Sequence, residues 1–216
     1  MRLSFVNASP KPNESTSGLL LQYLKTKLSS NAQIEEFQIS TQELSTEKIE
    51  KILDVDAVIF ALPIYMDSLP SHLLYSLFQI QNYARGKSIK KPVIYTIVNG
   101  GFYEGEHSKL AIDMMKHWCK KTGLTWGQAL GSGAGDMYGS LPKLPIGKGP
   151  SINLGKALDE IAKTINGLNS GNNIIVSPNI PRFAWKMGAL MLVWNKRAKA
   201  NGLSKKDLYY KGRELV

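Results

Sequence analysis

Residues 3–8, 33–39, 57–62 and 93–98 form short apolar or alternating runs of strand length, and after each of them the spacing of large aliphatic residues lengthens to that of a helix. Leu20, Leu21, Leu24 and Leu28 mark a helix over 17–28 behind hydroxyl residues able to cap it. Ile49, Ile52 and Leu53 mark a short one over 46–53, and Leu73, Leu74, Leu77 and Phe78 a third in SHLLYSLFQIQNYA, with Pro70 suited to its start. A fourth is expected over about 107–122. The run AVIFAL at 57–62 is apolar at every position, as a central parallel strand covered on both faces requires, and Pro63 ends it. Residues 126–130 and 153–168 supply a fifth strand and a fifth helix. Strands alternating with helices, without an internal repeat, predict an α/β fold: a doubly wound parallel sheet of five strands in the order 2-1-3-4-5.

A chain of 216 residues, 43% hydrophobic, is long enough for one sizeable core with an appendage. The expected division is a domain over 1–170 and a helical extension over 171–216. One cysteine, Cys119, excludes an intrachain disulfide framework. The apolar run at 3–6 is too short for an export signal, so the expected location is cytoplasmic. Charge is unevenly placed. Residues 182–216 hold nine Lys or Arg against two Asp or Glu, a net +7, while the rest hold eighteen against fifteen, a net +3.

In an open parallel sheet a ligand sits beyond the carboxyl ends of the strands, where the strand order reverses, here at the first and third strands. Three loops converge there: NASPKPNESTSG, LPIYMDSLP and NGGFYEGE. The first leads into a helix whose opening N–H groups lack intrahelical partners and which carries the positive end of the helix dipole. Ser9, Ser15, Thr16 and Ser17 add hydroxyls at that point and Lys11 a counter-charge, a set suited to a phosphate. The alternative is an N-cap loop with no ligand, since Ser and Thr favour caps in any case. A triphosphate P-loop is excluded, because the only nearby glycine, Gly18, comes too late to build its turn. A mononucleotide phosphate fits better.

The segments S-P-K-P-N-x-S-T-S, P-I-Y-M-D-S-L-P-S-H-L and N-G-G-F-Y-E, in that order, resemble the NADPH-dependent FMN reductase and flavodoxin-like flavoprotein family over roughly residues 1–170. The resemblance implies bound FMN, its phosphate held by Ser9, Lys11, Asn13, Ser15, Thr16 and Ser17. It places the isoalloxazine against Pro63, Ile64, Tyr65, Met66 and Asp67 on one loop, and Asn99, Gly100, Gly101, Phe102, Tyr103 and Glu104 on another. Lysine as the basic residue after Ser-Pro, followed by a second proline, departs from the family and implies a stiffer loop. The two later loops suit a flavin physically: Tyr65 offers a flat face, backbone groups of Ile64 and Met66 can meet the polar edge of the ring, Gly100 and Gly101 permit close approach, and Phe102 or Tyr103 can stack. Ordinary βα turns with an inward-packed aromatic are the competing reading.

Other motifs carry less. Gly131, Gly133 and Gly135 imitate a dinucleotide fingerprint, but the third glycine of that motif would fall on Asp136, so GSGAGD reads as a flanking loop with turn-like chain through 149. His72, His107 and His117 lack helical metal-pair spacing and read as surface or capping residues, with His107 a candidate for the flavin edge. No metal site is expected. Cys119 reads as a packed apolar residue rather than a reactive thiol. No G-x-S-x-G elbow or carboxylate pair supports hydrolysis, and no catalytic side chain is assigned, because a flavin supplies its own redox chemistry. In the tail, the apolar stretch 187–194 is far shorter than the roughly 20 residues that span a bilayer. Docking of its apolar side on the body or a second subunit, with solvated lysines, is the favoured expectation, and lipid-surface contact the less favoured one. Nucleic acid is not expected as a partner. Together these readings give an FMN-dependent oxidoreductase, reduced by NAD(P)H and passing electrons to a small acceptor such as a quinone or free flavin, with a homodimer among the expected partners. Its rivals are a flavodoxin-like electron carrier, which the basic charge disfavours, and a flavin-free binding module on the same fold.

Overall fold

The computed structural model describes residues 1–11, 13–40, 43–85, 87, 89–140 and 145–209; Pro12 of the first loop and residues 210–216 of the basic extension lie outside the described residues. Strands β1 (Arg2–Asn7), β2 (Gln33–Gln38), β3 (Ala57–Pro63), β4 (Val93–Asn99), β5 (Thr125–Ser132) and β6 (Ile174–Val176) form one sheet in the order β2-β1-β3-β4-β5-β6. Every pairing is parallel. Between and after them run α1 (Thr16–Lys25), α2 (Thr46–Leu53), α3 (Ser71–Arg85), α4 (Lys109–Thr122), α5 (Gly135–Ser140) and α6 (Ile152–Asn166).

Alternation along the central strands sorts their side chains into two cores. Ala57, Ile59 and Ala61 of β3 join Tyr95 and Ile97 of β4 in packing with Leu20, Leu21 and Leu24 of α1 and Leu158, Ile161 and Ile165 of α6. Val58, Phe60 and Leu62 point the other way, into a cluster with Ile49 and Ile52 of α2, Leu73 and Leu77 of α3, and Ile112 and Met115 of α4. Trp118 closes that layer. Its ring meets Phe60 edge-on at 5.9 Å, and its Nε1–H donates to the Leu77 carbonyl at 2.8 Å. Both faces of β3 are therefore buried, as its unbroken apolar sequence requires.

Two local expectations need correction. The sheet has a sixth strand, β6, on the β5 edge, with Leu130, Gly131 and Ser132 opposite Ile174, Ile175 and Val176. Three residues are too few to show a period, so the edge of β5 selects this strand rather than any signal of its own. The segment after GSGAGD also contains a helix, α5, where turn-like chain was expected. Two glycines lower its intrinsic propensity; its anchor is Tyr138, 3% exposed in the α1–α6 core.

The chain divides into two compact units, residues 1–179 and residues 180–216. The first holds the whole sheet and its covering helices. The second contains α7 (Arg182–Gly188), a π-helical segment (Ala189–Trp194) and α8 (Asn195–Ala200).

Candidate functional site

All three loops picked out by sequence emerge at the carboxyl ends of β1, β3 and β4, and polar bonds tie them together. Asn99, 6% exposed at the end of β4, donates through Nδ2 to Ser17 Oγ at 3.0 Å and to the Leu62 carbonyl at 2.9 Å. Its own carbonyl accepts the Ile64 N–H at 3.1 Å. One side chain and one peptide group thus join the first loop, the second and the third.

The hydroxyls of the first loop are distributed among different tasks. Ser15 is the N-cap of α1: its Oγ accepts the Gly18 N–H at 3.0 Å and the Asn7 amide at 3.1 Å. Thr16 donates to the Gly135 carbonyl at 3.1 Å, and Ser17 is occupied as an acceptor by Asn99. Ser9 Oγ accepts the Lys11 N–H at 3.3 Å. Lys11, Asn13 and Glu14 are exposed. Glu14 offsets the charge of Lys11, so the positive character of this loop comes chiefly from the opening N–H groups of α1, those of Thr16 and Ser17, which helical geometry leaves without intrahelical partners. That donor set, with the Ser9 hydroxyl and Lys11, fits a phosphomonoester.

The second loop turns back on itself. Tyr65 and Ser68 exchange backbone hydrogen bonds, both of 3.1 Å, across Met66 and Asp67, whose φ angles are +53° and +60°. This is the type I′ geometry that normally calls for Asn-Gly. Among the described residues five non-glycines have positive φ; three of them, Glu14, Met66 and Asp67, lie in these loops, and a fourth, Ala134, lies in the loop after β5. Backbone strain of that kind concentrates at functional sites. At the tip Met66 is 95% exposed and Tyr65 51%. Burial of part of its ring, with Asp136 nearby, raises the Tyr65 pKa. Ile64 has already committed its N–H to Asn99, so of the two backbone groups expected to face a ring edge this one is taken.

On the third loop Phe102 is half exposed and stacks on His107, with ring centroids 4.4 Å apart. His107 Nδ1 donates to Asp67 Oδ1 at 3.0 Å, clasping the second loop to the third. Tyr103 turns elsewhere, its hydroxyl donating to the Pro178 carbonyl at 3.5 Å. Gly100 is buried and bonded on both sides, its N–H to the Ser132 carbonyl and its carbonyl to the Gly135 N–H; Gly101 is exposed beside Asp136.

A fourth loop, after β5, completes the cluster. Gly133 runs against the Tyr103 and Glu104 backbone so closely that a Cβ there would overlap it, which explains a glycine that sequence reading took for part of a false dinucleotide motif. Sequence reasoning also missed Asn7, which holds the cap of α1, and Gln38 of β2, whose Nε2 donates to the Ser9 carbonyl at 2.6 Å. His72, expected as a surface or capping residue, places Nε2 3.3 Å from the Ala8 carbonyl and so joins α3 to the first loop. A cleft of about 240 Å³ opens beside that loop between α1 and β2, lined by Phe5, Gly18, Leu21, Phe37 and Gln38 among others. Among the described residues no group of three His, Cys, Asp or Glu is placed to hold a metal ion.

No model of a known protein family matches the chain, and no curated protein sequence matches it. Solved structures do. An NADH:FMN oxidoreductase in its apo form is 18% identical, covers 79% of this chain and 90% of its own, and superposes with a TM-score of 0.56. A short-chain flavodoxin associated with a bacterial microcompartment is 16% identical over 79% of this chain and all of its own, with a TM-score of 0.53. An FMN-dependent NADH-azoreductase from Bacillus anthracis, solved with FMN, is 15% identical over 77% of this chain and all of its own, with a TM-score of 0.51. The likeness is one of fold: this chain has a flavodoxin-like α/β architecture.

Proposed function

We propose that the protein is an FMN-dependent oxidoreductase that takes electrons from NAD(P)H and passes them to a small acceptor such as a quinone or free flavin. The observation that carries this reading is the clasped cluster of loops at the point where strand order reverses, with a phosphate-compatible donor set on one side and exposed flat rings on the other. In this reading the N–H groups of Thr16 and Ser17, the Ser9 hydroxyl and Lys11 hold the phosphate. Tyr65, Met66 and Phe102 border the ring, and the Gly100–Gly101 backbone lies near its edge. FMN, when bound, supplies the hydride and single-electron chemistry. The chain positions it. Asp67 accepts a hydrogen bond from His107 Nδ1 and so holds the imidazole against Phe102 at the border of the ring.

Fold likeness to an NADH:FMN oxidoreductase and an FMN-dependent azoreductase supports the enzymatic reading. Likeness to a flavodoxin favours a second one, a carrier that exchanges single electrons with protein partners. The test is a visible spectrum of the purified protein, titration with FMN, and NAD(P)H consumption with a small acceptor. Yellow protein with sustained consumption supports the enzyme. FMN binding without consumption supports the carrier. Failure to take up FMN removes both.

A further inference from the structure

The second unit carries its helical run, α7, the π segment and α8, with large apolar side chains turned to solvent. Phe183 is 73% exposed, Met187 55%, Met191 59%, Leu192 47% and Trp194 52%. Phe183, Met187, Met191 and Trp194 recur at intervals of four, four and three residues, so successive turns bring them to adjoining surface positions. A single exposed Leu or Met needs no explanation, but a concentration of this kind marks an interaction surface. Cations frame it. Lys186, Lys196, Arg197 and Lys199 are all exposed, the Arg197 guanidinium lies 5.8 Å from the Trp194 ring centroid, and no acidic residue occurs between Glu160 and Asp207.

We propose that this run is an interfacial docking element for an anionic lipid bilayer, lying in the plane of the surface with Phe183, Met187, Met191 and Trp194 among the acyl-chain ends and the lysines at the lipid phosphates. Sign and chemistry select that occupant. Residues 182–216 carry +7 and the remainder +3, so neither a second copy nor the rest of the chain offers the opposite charge on balance. An anionic bilayer offers it together with an apolar layer. Aromatic and thioether side chains interleaved with lysines suit that boundary, where long cationic stems reach back to the headgroups. Among the described residues no helix is long and apolar enough to cross a membrane, which agrees with an element that lies on one. Sequence reading favoured burial of this apolar side against protein; the charge balance of the chain is what shifts the assignment.

The test is co-sedimentation of the full chain with vesicles of phosphatidylcholine alone and of phosphatidylcholine with roughly a quarter phosphatidylglycerol. Sedimentation is expected only with the anionic vesicles and is expected to weaken in high salt. Each of Lys186→Glu, Lys196→Glu and Lys199→Glu should lower partitioning by about fivefold or more. The combined Phe183→Ser, Met187→Ser and Met191→Ser variant should abolish it. Because these positions are exposed, its melting curve should match the parent's, and FMN uptake serves as an independent check that the first unit is intact. Failure to sediment with anionic vesicles at low salt would overturn the proposal. Undiminished binding by the serine variant would also overturn it, by reducing the element to plain charge attraction. So would a dimer in sedimentation velocity that the serine variant abolishes.

Discussion

Asn99→Ala separates two roles that the sequence could not distinguish. If the amide of Asn99 faced a ligand, its removal would weaken FMN binding and leave the apo protein's stability alone. In the structure the amide instead faces Ser17 Oγ and the Leu62 carbonyl, inside a residue 6% exposed. Truncation leaves two buried acceptors without their donor, and an unsatisfied buried group costs about 1–3 kcal/mol. The pair together should cost about 2–4 kcal/mol, since relaxation and water recover part of each. With a urea m-value of about 2 kcal/mol/M, the unfolding midpoint of the apo protein should fall by roughly 1–2 M. Ser17→Ala alone removes one acceptor and should cost less. The double variant should then be less damaging than the sum of the two by about 1 kcal/mol, because the shared bond can be lost only once. Asn99→Asp sharpens the test, since an ionised carboxylate only accepts and would confront the Leu62 carbonyl; it should be at least as destabilising at neutral pH despite its equal size. An unchanged urea midpoint in Asn99→Ala, or strict additivity with Ser17→Ala, would refute the role of Asn99 as the tie between the loops.

Ser15→Ala removes the cap of α1 and should cost about 1 kcal/mol in chemical denaturation; combined with Thr16→Ala, which cuts the link to Gly135, it should also weaken FMN retention while far-UV circular dichroism stays the same. Met66→Asn places the residue favoured in a type I′ turn where φ is +53° and little burial is lost, so it should raise stability by about 0.5 kcal/mol; a loss would mean that the turn is not strained. Burial pushes the Cys119 thiol up to about 12, so the native protein should react with a thiol reagent near pH 8 only as fast as it unfolds, and rapid labelling of folded protein would contradict the packing. Burial likewise raises Tyr95 and Tyr138 to about 12. In each case the unfolded chain gives up its proton first, so the native state binds more protons above the ordinary Cys and Tyr range. Stability is therefore complete below about pH 8 and should fall from there towards pH 12, which thermal melts across that window would measure.

The fold was legible where one physical demand dominated a stretch of sequence. AVIFAL could only be a strand buried on both faces, and Leu20, Leu21 and Leu24 could only be one side of a helix. β6 and α5 escaped because each is too short to carry a period: Ile174–Val176 takes its state from the β5 edge, and α5 from the burial of Tyr138. The meeting of the loops was legible for a different reason, since strand order alone dictates where they emerge. Their side chains were not, because Ser and Thr serve as cap, tie or ligand donor with the same letters. Ser15 is a cap, Thr16 reaches a carbonyl 119 residues away, and Asn99 holds neighbouring loops rather than presenting its amide outward. These internal bonds alter how the site can work. Loops already clasped by Asn7, Thr16, Asn99 and the Asp67–His107 pair lose little further freedom when a ligand arrives, so the modest donor set at the start of α1 need not supply the free energy of ordering them. The strained Met66–Asp67 turn fits the same logic, because its cost is borne in the folded chain before binding.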